Sequence, residues 1–556
     1  MPYFHELENP LKFRNLSVSG GFWTLEYGGQ KNTVKDYEDI SFELRSLAYG
    51  IWDYIKNSGK FPKAANYVMK KLWSIPGTRE GRRFYGDHVL TENDIEQKVH
   101  FEDAVASGGW PMDVHDWGGF YGFKPASNFI AVTASYNIPF RSMYSRDINN
   151  LMLAGRDISA THIAFGSTRV IGTCGCIGQA VGTAATLCKK YGVLPRGVYK
   201  SHVKELQAAL AYDDQTIIGL SDLTEKSLND KFEISSTGVA KYENTKQDLI
   251  KTCDHNYVLS LVMDTKKAES VELKLKNNTD VEQTVEYVLL TGEKPQTFLP
   301  ETVLKKSSLK LKANHYGYAK FDLDVEIGND KKLYIVISKN ENISICCANK
   351  RVHGAVTWRY YDESHTTGLY IDKNSTGYTH DSTPFKGVIV DFPDSGEINF
   401  RFDENSEDGN VGYLGADKVE HQICFKNVLP EQGVYNAENI LNKHSRPFGT
   451  LNMWKSDAVG ASVLLKATEP QNVKELHFVF DTDLENELQR EMPLQMVKDF
   501  DVSIKTTSGE KVISIRDNFL RLSKVQVDLA DVLEIKVDIL NTYGAENVHM
   551  FGVKVF

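Results

Sequence analysis

The 556-residue sequence has no Cys-x-x-Cys pair. Its seven cysteines (Cys174, Cys176, Cys188, Cys253, Cys346, Cys347 and Cys424) are odd in number, and two pairs sit too close together to staple a fold. A zinc ribbon or thioredoxin-like motif therefore has no support, and the thiols read as buried and reduced. No run of about 20 apolar residues is present, so no segment is expected to cross a membrane. Positive charge is in deficit, with 64 Lys and Arg against 74 Asp and Glu, a net charge of -10. Nucleic-acid binding needs a basic face, so it is not expected, and an anionic membrane surface is disfavoured. The opening stretch MPYFHELENPLKF has no basic start, apolar run or small-residue cleavage site. It does not read as a signal peptide. As written, the chain is expected to be cytoplasmic; it would be exported or periplasmic if an N-terminal segment is missing. None of the 15 histidines shows HxxxH spacing. No Ser-His-Asp order, glycosidase carboxylate pair or metal-ligand cluster stands out, so no metal is expected.

What is present is an ordinary globular composition, 41% hydrophobic and 25% charged. About 150 residues per domain gives three or four units. Residues 1–222 read as mixed α and β. Leu44, Leu47, Ala48, Ile51, Trp52 and Ile55 follow helical spacing. A second helix is expected over Ala64–Trp73, ended by Pro76-Gly77. The segment GGWPMDVHDWGGFYGF reads as an ordered loop, and Trp110, His115 and Trp117 could wall a pocket or simply pack. Leu151–Gly155 reads as a buried strand. Ser167 and Thr168 are expected to cap a helix over about 168–190, and residues 201–212 to form another. A linker is expected over 223–245. Beyond it, short Val-, Leu-, Ile- and Tyr-rich runs recur about every ten residues, the spacing of β-sandwiches. The polar stretch Asp403–Asn410 divides them into modules over 246–405 and 411–556.

Gly172, Gly175, Gly178 and Gly182 fall on one face of the expected helix, within about 120° at 100° per residue. Four interior glycines cost a helix roughly 4 kcal/mol against alanine. Close approach of a flat ligand or another backbone would compensate, and so would tight packing on a sheet. Arg79, Glu80, Arg82 and Arg83 form a charged knot. It suits a carboxylate clamp, or equally an ion-pair network with Asp87, Glu92 and Asp94.

The stretch NLMLAGRDISATHIAFGSTRVIGTCGCIGQAVGTAATL resembles the C-terminal flavin-contacting motif of a bacterial FAD-dependent oxidoreductase family, one of the two-dinucleotide-binding-fold flavoproteins. Other blocks agree in order: Gly21–Gly29, Pro76–Asp87 with His88–Asp94, Gly109–His115 and Ile138–Ser142. Residues 250–350, with Leu290–Pro300, are similar to the β-module that follows in that family. The resemblance implies FAD as cofactor and hydride transfer to flavin from a hydroxyl-bearing small molecule such as a sugar or uronate. It places Gly155, Arg156 and Asp157 near the ribityl and pyrophosphate. Ser167, Thr168, Arg169, Gly172, Gly178 and Gln179 would lie along the isoalloxazine. His162, Arg169 and His115 are the catalytic candidates. Arg79, Arg82, Arg83 and Trp110 are the substrate candidates.

The family's opening strand, G-x-G-x-x-G turn, helix and acidic residue have no counterpart in this sequence. FAD binding would then need a separate chain supplying that segment. The alternatives are one subunit of a split flavoenzyme, or a flavin-free remnant that binds carbohydrate. Asn439–Pro447, Asn452–Ser456 and Leu476–Asp483 resemble a galactose-binding-like jelly roll of the discoidin type, in which Arg446, Asn452 and Trp454 could contact sugar, although the Trp in this fold more often packs and the module can be a structural lid. The expected architecture is therefore multidomain: an incomplete α/β (α+β) FAD-oxidoreductase cap and closing segment, then two all-β sandwich or jelly-roll modules.

Overall fold

The structure is a computed structural model and describes residues 25–122, 127–130, 132, 134–296, 300, 302–328, 331–360, 416–418, 421–482 and 492–556. The chain divides into two compact units, one made mainly of residues up to His202 and the other mainly of Val203–Phe556. The expected break at Asp403–Asn410 lies outside the described residues.

In the first unit, α1 (Tyr37–Asn57) buries Leu47, Ala48, Ile51, Tyr54 and Ile55 along one stripe, as its spacing predicts. Glu38 and Asp39 in its first turn and Lys56 in its last complement the helix dipole. The helix expected over Ala64–Trp73 does not form: a single 3-10 turn over Pro62–Asn66 is followed by irregular chain. Apart from Ala64, the apolar residues there have no buried face to drive a helix, and Trp73 is 71% exposed. A short helix α2 (Glu92–Glu96) is closed by a Thr91–Asp94 capping box. The Gly-Trp loop is partly strand. It contains the end of β1 (Ala104–Gly108) and all of β2 (Met112–His115), which pairs antiparallel with β3 (Ser127–Ile130). β1 pairs with β4 (Tyr136–Pro139). The Leu151–Gly155 strand is reduced to one bridge between Met152 and Tyr144, and a 3-10 turn follows over Gly155–Asp157.

The helix expected over 168–190 is two helices, α3 (His162–Thr168) and α4 (Ile171–Tyr191), broken at Arg169-Val170. Ser167 and Thr168 therefore close α3 instead of capping α4. Thr161 caps α3, its hydroxyl accepting from the Ala164 amide. α4 ends at Gly192 in the left-handed conformation, the usual helix stop. By length and composition α4 could cross a membrane, contrary to the sequence expectation. Its apolar character comes from Ile, Val, Leu, Ala and Cys, and Thr173, Ile177, Ala180, Ala184 and Leu187 are buried. α5 (Pro195–Tyr212) begins earlier than expected, with proline in its first turn.

The second unit is β-rich. The 223–245 stretch contains β5 (Phe232–Ser236), which pairs with β19 (Ser462–Phe480). It is thus part of the C-terminal sheet, where the reading from sequence expected a linker. The first β module contains β6 (Leu249–Cys253), β7 (Asn256–Val262), β8 (Lys267–Asn277), β9 (Gln283–Thr291), β10 (Thr302–Leu311), β11 (Tyr316–Glu326), β12 (Lys332–Ile337), β13 (Asn340–Ala348), β14 (Ala355–Tyr360), β15 (Ala416–Lys418), β16 (Gln422–Ile423) and β17 (Phe425–Leu429). One sheet runs β10-β9-β12-β7-β14-β15. The other runs β11-β8-β13-β16, with β17 on β8 and β6 on β13. Alternate residues such as Leu259 and Leu261, Val271, Leu273 and Leu275, and Ile343 and Ile345 meet in one core, as strand pleating requires.

The C-terminal sheet adds β18 (Trp454–Lys455), β20 (Val497–Thr506), β21 (Gly509–Ile515), β22 (Leu522–Thr542) and β23 (His549–Val555), in the order β18-β23-β19-β22-β20-β21. Register shifts interrupt the long β19–β22 pairing between Lys466 and Glu475, and such bulges bend and twist a strand pair. The core here is built on Trp454, Phe478, Phe480, Phe500 and Val537. β19 alternates faces: Phe478 and Phe480 enter this core, whereas Val479 enters the core of the first β module, with Phe551 of β23 beside it.

Candidate functional site

The functional candidates of the first unit form two chains of polar contacts. The first begins at Glu26. Its carboxylate accepts from Arg79 at 2.6 Å and meets His115 Nδ1 at 2.7 Å. His115 Nε2 contacts Asp113 at 3.0 Å, and Asp113 also pairs with Arg169. β2 supplies both Asp113 and His115, two residues apart and so on one face of the strand. Arg169 reaches them because α3 packs directly on β2. A Cβ at Gly166 would lie 2.8 Å from the Asp113 carbonyl oxygen and 2.9 Å from its nitrogen, so this approach needs glycine.

Positive and negative groups alternate along the chain Arg79–Glu26–His115–Asp113–Arg169. Burial alone would lower the His115 pKa, but the Asp113 and Glu26 carboxylates outweigh it and raise it above the ordinary histidine value. Arg169 is shifted down, chiefly by burial and further by Arg79, against the pull of Asp113.

The second chain centres on His162. Its Nδ1 lies 2.7 Å from Glu80 Oε2, and its Nε2 accepts from Trp117 Nε1 at 3.4 Å. The Trp117 indole stands edge-on to the imidazole, ring centres 5.9 Å apart. These partners place a donor on Nδ1 facing Glu80 and an acceptor on Nε2 facing Trp117. Glu80 also pairs with Arg83 at 2.8 Å, and Arg83 donates to the Ala160 carbonyl at 2.6 Å. Burial would raise the Glu80 pKa, but His162 and Arg83 hold it below the ordinary glutamate value.

The Arg79–Arg83 knot thus forms ion pairs, though not with the carboxylates expected from the sequence. Asp87 pairs with Arg196, Asp94 with His88, and Glu92 accepts from Thr161. Arg82 is exposed and has no ion pair among the described residues. Trp110 and Trp117 are 43% and 57% exposed. Glu26, Asp113 and Glu80 hold these chains together, yet none of them stood out as a ligand or base in the sequence. Their common signal is a carboxylate within reach of an arginine or histidine, which needs the fold to be seen.

The residues assigned to the cofactor divide into three groups. Gly155, Arg156 and Asp157 form the 3-10 turn, with Gly155 at φ 73°. The Arg156 guanidinium donates to the carbonyls of Thr78 and Arg79, tying this turn to the arginine knot. Ser167 and Thr168 are fully buried, and the Ser167 hydroxyl donates to the Trp110 carbonyl, so neither offers an open hydroxyl. Gly172, Gly178 and Gln179 lie on the exposed side of α4. A Cβ added at Gly172, Gly175, Gly178 or Gly182 would meet nothing within 4 Å. Among the described residues, tight sheet packing therefore does not account for the bare helix face.

In the second unit, Trp454 is fully buried and donates to the Gly238 carbonyl. Asn452 is 2% exposed and bonds Arg446 and Asn442, while Arg446 pairs with Asp214 at 3.1 Å. Trp454 and Asn452 are thus held within the framework, the packing alternative to sugar contact, and Arg446 is tied to Asp214.

Residues 12–210 match the family model described as FAD dependent oxidoreductase. No curated protein matches the chain. Among the solved structures that are similar over 22% of this chain are three sugar-binding modules. The family 32 carbohydrate-binding module of Streptococcus pneumoniae EndoD is 17% identical, covered over 85% of its length, with a TM-score of 0.19. The family 32 module of C. perfringens NanJ, in complex with galactose, is 14% identical, covered over 86%, with a TM-score of 0.17. A Streptococcus pneumoniae fucose binding module, SpX-3, is 12% identical, covered over 85%, with a TM-score of 0.18.

Proposed function

We propose, from the premise that residues 12–210 are a segment of the FAD dependent oxidoreductase family, that the first unit forms the substrate-facing and flavin-closing part of an oxidoreductase acting on a hydroxyl-bearing small molecule. A flavin, when bound, supplies a two-electron acceptor. The observation that carries this reading is the glycine face of α4, bare and open over Gly172, Gly175, Gly178 and Gly182. An open face without Cβ atoms fits a flat ring system at van der Waals distance. Gln179 on the same helix and Arg169 just before it would hold the polar edge of that ring. Arg169 places its charge beside the α4 N-terminus, where the helix dipole adds in the same sense.

On the substrate side, His162 is the proton acceptor. Glu80 fixes the tautomer that leaves the Nε2 lone pair outward, and Trp117, which donates to it at 3.4 Å, would give way to a substrate hydroxyl. Arg82 is the group suited to a substrate carboxylate, as in a uronate, because Arg79 and Arg83 are already neutralised by Glu26 and Glu80. His115, held through Glu26 by Arg79, acts at one remove by holding Asp113 against Arg169. In this reading the pyrophosphate cradle comes from outside these 556 residues.

The test is titration of the full chain with lumiflavin, which carries the flat ring system but no pyrophosphate and so needs no cradle, followed by flavin fluorescence. Saturable quenching that disappears in Gly175→Leu supports the reading. Unchanged fluorescence in the wild-type titration overturns it for this chain alone.

A further inference from the structure

His353, Asp481 and His549 come together in the second unit, each offering one ligand atom, all within 4.8 Å of one another. The three come from different elements. His549 opens β23, and Asp481 directly follows β19. Strand alternation places Asp481 on the Val479 side of β19 and His549 on the Phe551 side of β23, the faces that enter the core of the first β module. His353 sits in the turn before β14, inside that module. The turn is held from both sides. Tyr435 donates its hydroxyl to the His353 carbonyl and Tyr242 to the Gly354 carbonyl, each at 2.6 Å. Gly354 has φ 82°, and a Cβ there would lie 2.9 Å from Leu451.

His549 Nδ1 lies 2.9 Å and His353 Nε2 3.4 Å from the same carboxylate oxygen, Asp481 Oδ2. Ligand atoms at about 2.0–2.1 Å around a tetrahedral ion stand roughly 3.3 Å apart, so these spacings suit one ion. Two imidazoles and a carboxylate select a borderline transition-metal ion over Mg²⁺ or Ca²⁺, which prefer all-oxygen shells. The side chains of Asp481 and His549 are 7% and 6% exposed, and that of His353 is 26% exposed. One side is therefore open to a fourth ligand such as water.

We propose that His353, Asp481 and His549 bind a divalent transition-metal ion of the zinc class, which ties the turn before β14 to β19 and β23 of the C-terminal sheet. The site is independent of the flavin reading, because no residue of the first unit contributes to it.

The experiment is calorimetric titration of the chelator-treated full-length chain with Zn²⁺, with Co²⁺ as a spectroscopic probe. One ion per chain is expected, with tetrahedral visible bands for Co²⁺ and a raised unfolding temperature. His353→Ala, in a partly exposed turn, should weaken binding more than about 100-fold, beyond the loss of an outer-shell partner. If that variant fails to fold, His353→Gln serves in its place. Mg²⁺ should cause no shift. Absence of saturable binding, or binding unchanged in the His353 variant, overturns the proposal.

Discussion

Replacing Gly175, Gly178 and Gly182 together by alanine tests the reading of α4 most directly. Each glycine sits in the helix interior, and a Cβ at each meets nothing within 4 Å. Among the described residues nothing thus opposes the methyl groups, and the helix gains only the relief of backbone entropy. At about 0.9 kcal/mol per glycine, three replacements add roughly 2.7 kcal/mol. Gly172 is left out because it lies in the first turn, where the propensity gain is smaller. For a unit of this size the gain corresponds to roughly 5–10 °C in the unfolding midpoint. The assay is thermal unfolding followed by circular dichroism, with the α4-containing unit resolved by hydrogen exchange. The same triple variant should lose flavin quenching, because the methyl groups occupy the surface on which the ring would lie. Stabilisation with loss of binding identifies a helix face kept bare for a ligand, at a cost to the fold. A triple variant that is unchanged or less stable would refute this reasoning, since it would mean that the face is already in contact.

Two further outcomes follow from the polar network and the second core. His115 has a raised pKa in the folded state, so its contribution to stability is present below the ordinary histidine value and is lost as pH rises through the folded value. The slope of stability against pH between about 6 and 8 should flatten in His115→Gln, as read by urea unfolding across that range; an unchanged slope would remove Asp113 and Glu26 as its partners. Trp454→Ala removes a fully buried ring from the C-terminal core and should cost about 3–5 kcal/mol, measured by chemical denaturation; a loss below about 1 kcal/mol would show the site is not packed as described.

Much of the fold was legible in the sequence. α1 was readable because its buried residues follow one stripe, and β7, β8 and β9 because strand alternation and turn residues bound them. β5 was hidden because it lies half exposed at the side of β19, so its Phe-Glu-Ile-Ser-Ser run carries little apolar signal. The break between α3 and α4 was hidden because Arg169 and Val170 are tolerable within a helix, and only the packing of Gly166 against β2 sets α3's direction. His162, His115, Arg79, Arg83 and Arg169 were named from the sequence, and so was Glu80, but the carboxylates Glu26 and Asp113 that contact them were not. Glu26 and Asp113 are distant in sequence from Arg79 and Arg169, and no spacing rule links them. His353, Asp481 and His549 were missed for the same reason, since each is isolated in sequence and only sheet pairing and a glycine turn assemble them.

The alternation of β19 has a consequence for how the second unit comes apart. Val479 and Phe551 are side chains of the C-terminal sheet, yet they belong to the core of the first β module, as do Leu451 and Met453. One strand is thus a party wall between two hydrophobic interiors. Opening either interior exposes apolar surface of the other, so the two modules should melt as a single cooperative foldon instead of in succession. A cut between them would leave each half with an unfinished core. In this molecule, modularity of sequence does not bring modularity of folding.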